Sequence, residues 1–281
     1  MRKIAFAKYQ ALGNSFIVLD KIHKQCRSRE FEKIARTLCD ATYGIGADGI
    51  MVLSKSSQLY RADIYNADGS WAEKSGNGLR IAAVHLKSRG LVKKNKIELL
   101  TGSGPSLVQF HGGSKYRLNT SGTLGKPLFD TKKVPVVTEQ SFFINQTLAT
   151  SAGKLKGSAV SIGNPHLILF CDHFDFDWQT LGEELETNGL FPKRINVGFV
   201  VIKNRKRLLV RDYERGVGPT ESSGTGAAAA VVVAVIRGFC DREVTVESLA
   251  GNLDVNWHTE DDEIIIKGPV EFICRGEYLV V

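Results

Sequence analysis

The sequence predicts an α/β fold made of two pseudo-symmetric halves with mostly antiparallel sheet. The first observation is a unit written twice, 148 residues apart. Asn66-Ala-Asp-Gly-Ser-Trp-Ala-Glu-Lys-Ser75-Gly-Asn-Gly and Glu214-Arg-Gly-Val-Gly-Pro-Thr-Glu-Ser-Ser223-Gly-Thr-Gly each follow an apolar strand-like run, at 62–65 and 208–213. Each then enters an apolar stretch that ends at a glycine fifteen residues after its serine, Gly90 or Gly238. A strand, a glycine loop and a helix repeated in this way put two helix N-termini at equivalent places. Their unpaired N–H groups and positive dipole ends suit a small carboxylate.

The second observation is that further blocks repeat in the same order. Leu12-Gly13-Asn14 matches Ile162-Gly163-Asn164 at an offset of 150, and 44–52 matches 194–201. Lys96-Ile-Glu-Leu-Leu-Thr-Gly likewise resembles 244–251. A period this long means two domain-sized halves instead of a short-repeat array. At 281 residues, with 43% hydrophobic content, the chain is long enough for two cores. We expect an N-terminal half over 1–120, joined by a returning C-terminal strand at 271–281, and a C-terminal half over 121–270. The active-site cleft is expected between them.

Periodicity assigns the elements. Short apolar or alternating runs at 16–19, 50–53, 97–100, 134–137, 167–170, 197–202 and 264–266 read as strands. Helical patterns cover 28–40, 78–89, 180–188 and 224–237, with Gly90 and Gly238 at their expected C-terminal stops. Strands outnumber helices and many turns are short, which favours antiparallel pairing.

Composition excludes some classes. The longest apolar run, 227–236, reads as a buried helix and is too short for a membrane span, and the N-terminus opens with strand pattern instead of a signal core. Five cysteines with no C-x-x-C spacing suggest a reduced, cytoplasmic protein without a metal site. The net charge of +7 is scattered, so a solvated surface is expected, not a nucleic-acid face. Thr101-Gly-Ser-Gly-Pro105 lacks the Lys-Ser/Thr of a phosphate loop and reads as a turn. His85 falls inside the first apolar helix and reads as structural.

These motifs together resemble the diaminopimelate epimerase family: Leu12-Gly-Asn14, 44–49, 66–70, Ser75-Gly-Asn-Gly, Gly163-Asn-Pro-His166, Glu214-Arg-Gly-Val-Gly and Ser223-Gly-Thr-Gly-Ala. The resemblance spans the chain. It implies two α/β domains, each a curled, mostly antiparallel sheet around a central helix. It also implies interconversion of LL- and meso-diaminopimelate for lysine and cell-wall precursor synthesis, with neither pyridoxal phosphate nor a metal. Partners would be a small-molecule amino-acid substrate, with no nucleic acid and no membrane; a homodimer is compatible with the sequence, which leaves oligomeric state open.

In that family two thiols act on opposite faces of the substrate α-carbon, one as base and one as acid. Here both positions are serine, Ser75 and Ser223. A cysteine thiol starts near ~8.5 and falls further at a helix N-terminus, whereas a serine hydroxyl starts several units higher. The binding set is retained. By resemblance Asn66, Asn164, Asn196 and Arg215 hold the distal end of the substrate, Glu214 contacts an amino group, and Asn14 lies nearby. Gly76 and Asn77, with Gly224 and Thr225, offer backbone N–H groups to the reacting carboxylate. Ser15 and Pro219 stand where the family often has acidic residues. Lys74 and Glu221 read as solvent-facing charges, or as substitute bases if buried. His166 reads as a packed or hydrogen-bonded loop histidine, with proton transfer as the alternative. Three functions fit: an epimerase carrying a serine pair, natural or introduced; a related isomerase, racemase or dehydratase on another substrate; or an inactive amino-acid-binding paralogue.

Overall fold

The computed structural model describes residues 2–20, 28–56, 58–73 and 75–280. The described chain divides into two compact units, one over residues 1–123 and 267–281, the other over 124–266.

The first unit runs β1 (Arg2–Ala11), β2 (Asn14–Asp20), α1 (Ser28–Cys39), β3 (Gly49–Ser56), β4 (Leu59–Asn66), β5 (Trp71–Ala72), α2 (Gly76–Ser88), β6 (Lys96–Thr101), β7 (Gly104–Gly113) and β8 (Arg117–Gly125). β1 and β2 pair antiparallel, and α1 crosses over to a parallel β3. β3 and β4 pair antiparallel, α2 crosses to a parallel β6, and β6 pairs antiparallel with β7.

The second unit repeats that pattern. It runs β9 (Gln146–Thr150), β10 (Gly153–Ser161), β11 (Pro165–Phe170), α3 (Trp178–Glu186), β12 (Asn196–Asn204), β13 (Arg207–Glu214), β14 (Gly218–Thr220), α4 (Gly224–Ile236), β15 (Glu243–Ser248) and β16 (Gly251–Trp257). Here α3 spans the parallel pair β11–β12, and α4 spans the parallel pair β13–β15. The neighbouring pairs β10–β11, β12–β13 and β15–β16 are antiparallel. The final strand β17 (Ile264–Val280) returns to pair antiparallel with β1.

Composition explains the helix positions. In α1 the buried Phe31, Ala35 and Leu38 fall on one stripe, which packs on β3 and β4. In α3 Trp178, Leu181 and Leu185 do the same, and Asp177 caps the first turn by accepting the Thr180 N–H at 3.0 Å. By contrast α2 is buried from Gly76 to Leu86 and α4 from Gly224 to Ala234. A helix apolar on every side needs protein on every side. α2 touches β1, β2, β3, β4, β6 and β7, and α4 touches β10, β11, β12, β13, β15 and β16. Each sheet therefore curls around its helix.

The two central helices also end alike. Gly90 (φ 72°) and Gly238 (φ 73°) each follow the C-cap residue, Arg89 or Arg237, in the left-handed region. Leu91 N–H returns to Leu86 C=O at 3.1 Å, and Phe239 N–H to Ala234 C=O at 2.9 Å, as glycine stops allow.

One expected strand is absent. Residues 131–135 form turns and 136–137 pair in no strand, because Pro135 has no N–H to donate and the N–H groups of Lys133 and Val134 both close onto Asp130 C=O. Val134 and Val136 are nonetheless buried against Trp178 and Phe191, which accounts for their apolar pattern.

Candidate active site

In the first unit β4 leads into the glycine loop, and Ser75 becomes the N-cap of α2 with extended backbone (φ −139°, ψ 122°). Its Oγ accepts the Gly78 N–H at 3.0 Å and its carbonyl the Leu79 N–H at 2.8 Å. The N–H groups of Gly76 and Asn77 are then left without intrahelical acceptors, the usual condition of a first turn. Asn77 is buried, and its Oδ1 accepts from Arg80 Nη2 at 2.7 Å. Asn66 closes β4, with Nδ2 donating to Ser70 Oγ at 3.0 Å. Asn14 follows the tight turn at Leu12 and Gly13, both at positive φ. Beside it, Ser15 donates its N–H and Oγ to Asp48 at 2.6 and 3.1 Å.

The second unit reproduces the cap. Ser223 has φ −126° and ψ 122°, its Oγ accepts the Gly226 N–H at 3.2 Å, and its carbonyl accepts the Ala227 N–H at 2.9 Å. Gly224 and Thr225 occupy the open first turn. Asn164 Nδ2 reaches Thr225 Oγ1 at 3.4 Å, and Asn164 Oδ1 meets His166 Nε2 at 2.9 Å. Asn196, opening β12, donates to Pro165 C=O at 2.7 Å and accepts the backbone N–H of Arg215 at 3.0 Å. Glu214 accepts the Thr220 hydroxyl at 2.8 Å. The structure thus joins Asn164 to Thr225 and Asn196 to Arg215 within this unit.

Glu221 is exposed, as a solvent-facing charge would be, and Pro219, where the family often has an acid, is exposed on β14. Lys74 lies outside the described residues, as does Cys26. His166 sits on strand β11, not in a loop, and burial aided by the nearby Arg215 charge lowers it to about 3. It is a neutral, hydrogen-bonded group. His85 is buried in α2 with Tyr9 edge-on to its ring, and burial lowers it to about 4 despite Asp20 at 3.9 Å. Of the four described cysteines, all free thiols, none lies on a serine loop. Burial pushes Cys39 up to about 12 and Cys171 and Cys240 to about 11, which keeps them protonated.

Three residues of this architecture escape sequence reading. Arg80 is fully buried in α2; it also donates to Pro269 C=O at 3.3 Å, and burial lowers it to about 10. Glu186 is buried and accepts the Gly216 N–H at 2.8 Å, with Arg194 at 3.4 Å, bracing the loop that carries Arg215. Asp212 is buried on the inward face of β13 beside Leu208 and Val210, and its Oδ1 lies against the backbone of Gly226 in the first turn of α4. Burial, then the charge of Glu214, raises it well above the ordinary carboxylate range. A charged residue at an inward position of an alternating strand was the available signal.

Comparison with known proteins bears directly on this duplicated arrangement. The family model described as diaminopimelate epimerase matches the chain over residues 6–122 and again over 158–273. The chain belongs to the diaminopimelate epimerase family. A relative of that name from Heliobacterium modesticaldum is 36% identical over 278 residues, covering 97% of this chain and 98% of its own. Another, from Caldanaerobacter subterraneus subsp. tengcongensis, is 37% identical over 277 residues at the same coverages. Among solved structures, a hydroxyproline epimerase from Agrobacterium vitis superposes with a TM-score of 0.73 at 13% identity, covering 99% of this chain and 91% of that one. A phenazine biosynthesis protein of the PhzF family from Bacillus anthracis gives 0.71 at 15% identity over all of both chains. These last two share the fold. As a member of the diaminopimelate epimerase family, the chain is an isomerase of the cofactor-independent epimerase type. No helix among the described residues is long and apolar enough to cross a membrane.

Proposed function

We propose that this chain binds diaminopimelate in the cytoplasm and, with serine at both proton-transfer positions, epimerises it slowly. The carrying observation is the matched pair of caps. Ser75 and Ser223 have the same extended backbone, the same Oγ bond to the third helical N–H, and the same open first turn. In this reading the serines address opposite faces of the substrate α-carbon. The N–H groups of Gly76, Asn77, Gly224 and Thr225 hold its carboxylate as charge grows in the transition state. Asn14, Asn66, Asn164, Asn196, Glu214 and Arg215 fix the distal amino acid end.

Binding and proton transfer separate in this account. Carboxylate recognition uses N–H groups and a guanidinium, which serine does not disturb. Proton abstraction needs an ionised base, and each pKa unit above neutrality costs about 1.4 kcal/mol. Calorimetry with LL- and meso-diaminopimelate tests recognition, and α-proton exchange into heavy water tests chemistry. Binding with slow exchange is expected. Absence of binding by either isomer would reject diaminopimelate as the substrate; brisk exchange would reject the handicap assigned to serine.

A further inference from the structure

The two central helices end in different chemistry. In the first unit the C-cap residue of α2, Arg89, meets Asp20, the last residue of β2, with Nη1 3.2 Å from Oδ2. At the equivalent place in the second unit β11 ends in Phe170. Arg237, the C-cap residue of α4, therefore has no such acid. Its guanidinium donates to Asn145 Oδ1 at 2.7 Å and lies 5.0 Å from the centre of the Phe239 ring. Among the described residues it pairs with no carboxylate.

Arg237 lines a cavity of about 520 Å³ that is built wholly from the second unit. Its apolar walls are Leu155, Leu169, Phe170, Phe176, Leu181 and Phe199. Edge-on packing fixes the rings, Phe170 on Phe239 at 5.0 Å and Phe176 on Phe199 at 5.6 Å. The polar side chains in the lining are Asn145, Lys156, Arg237 and the Cys171 thiol, and none is acidic. Leu169, Leu181 and Phe199 are buried, whereas Lys156 is exposed and Arg237 half-buried, so the floor is hydrocarbon and the charge stands at the mouth. Lys156 Nζ donates to Thr147 Oγ1 at 2.8 Å. Each cation keeps further donors beyond the one bond described. An apolar cavity of this size with a few convergent polar groups is the usual form of a small-molecule site.

We infer that this cavity binds a small anion with an apolar body, an alkyl or aryl carboxylate. The carboxylate pairs with Arg237 and Lys156 at the mouth, and the body displaces water from the phenylalanine and leucine floor. In the first unit Asp20 already supplies that carboxylate to Arg89; in the second a ligand supplies it. Ser223 caps the opposite end of α4, whose 13 residues span roughly 20 Å at the rise of an α-helix. The site is thus separate from the serine cap.

The test is calorimetry and methyl-detected NMR on the intact protein, with octanoate as the alkyl probe and naphthoate as the aryl one. The matching alcohol, octanol or naphthol, supplies the body without the charge. At least one carboxylate should bind saturably at one equivalent, with nuclear Overhauser contacts from its body to the methyls of Leu155, Leu169 and Leu181. Which of the two binds tells an alkyl ligand from an aryl one. Arg237→Gln, which keeps a donor for Asn145, should weaken the carboxylate about tenfold and leave the alcohol unchanged. No saturable binding of either carboxylate, contacts to other methyls only, or an alcohol that binds as tightly as its acid would each overturn the inference. So would unchanged carboxylate affinity in Arg237→Gln. Should that variant fail to fold by circular dichroism, Lys156→Gln on exposed β10 decides in its place: a weakened carboxylate supports the site, and an unchanged one overturns it. These readouts involve neither diaminopimelate nor epimerisation, so the inference stands or falls apart from the proposed function.

Discussion

Asn196 Oδ1 accepts the backbone N–H of Arg215 at 3.0 Å, so the start of β12 fixes the loop that carries the guanidinium without touching it. Among the described residues the guanidinium hydrogen-bonds the Lys193 carbonyl, at 3.3 Å. Loop geometry and charge can therefore be removed separately. Arg215→Ala should leave folding intact and weaken diaminopimelate binding by about 2–3 kcal/mol, the worth of a charge-assisted carboxylate contact. Calorimetry showing unchanged affinity would reject a distal-carboxylate role for Arg215.

Asn196→Ala should act on both. It removes the anchor for the Arg215 N–H and the bond to Pro165 C=O at 2.7 Å, so thermal stability should fall by roughly 1–3 kcal/mol along with affinity. Lost affinity at full stability would show that Asn196 contacts ligand without holding the loop.

Restoring the thiols gives the most direct reading of the serines. Ser75→Cys with Ser223→Cys should raise epimerisation by orders of magnitude, because a thiol begins near ~8.5 and a helix N-terminus lowers it further. The assay is the isomer ratio of LL-diaminopimelate with time. A double variant that binds substrate and stays inert would mean the site has diverged beyond its two proton carriers.

Gly226 and Gly78 predict unequal tolerance. Gly226→Ala drives a methyl into Asp212 and Ser223, and should cost roughly 1–3 kcal/mol by chemical denaturation. Gly78→Ala meets the Met51 Cε methyl at 3.0 Å and Ile64 Cδ1 at 3.1 Å, atoms at the ends of flexible chains, and should cost less. Equal losses would contradict the placement of the Asp212 carboxyl.

Acid should unfold the protein through its buried histidines. Burial lowers His166 to about 3 and His85 to about 4, below the value near 6.5 of an exposed histidine. The unfolded chain binds protons first, so this stability is fully present above about 6.5 and drains as pH falls to about 4 for His85 and about 3 for His166. Asp212, raised by burial, works in the opposite sense and withdraws stability as pH climbs from the ordinary carboxylate range through its folded value. His85→Phe, which keeps an aromatic ring beside Tyr9, should flatten the acid limb of melting temperature against pH. A limb of unchanged slope would rule His85 out as its source.

The sequence by itself determined the duplication, the four described helices within two residues at each end, and the serine loops. Those signals are local: a glycine stop, an apolar run with nothing polar on any face, a hydroxyl three residues ahead of a helical N–H. Tertiary structure decided what locality could not express. The apolar run at 134–137 looked like a strand because Val134 and Val136 are buried, but Pro135 and the bonds to Asp130 turn the chain there. β13 points Asp212 inward, under the first turn of α4, where burial sets its protonation. Arg80 is likewise a cation in a helix whose surroundings close over it. Burial and the partner across the strand come from residues far apart in the chain, and they fix whether a charged group is solvated, neutral or poised.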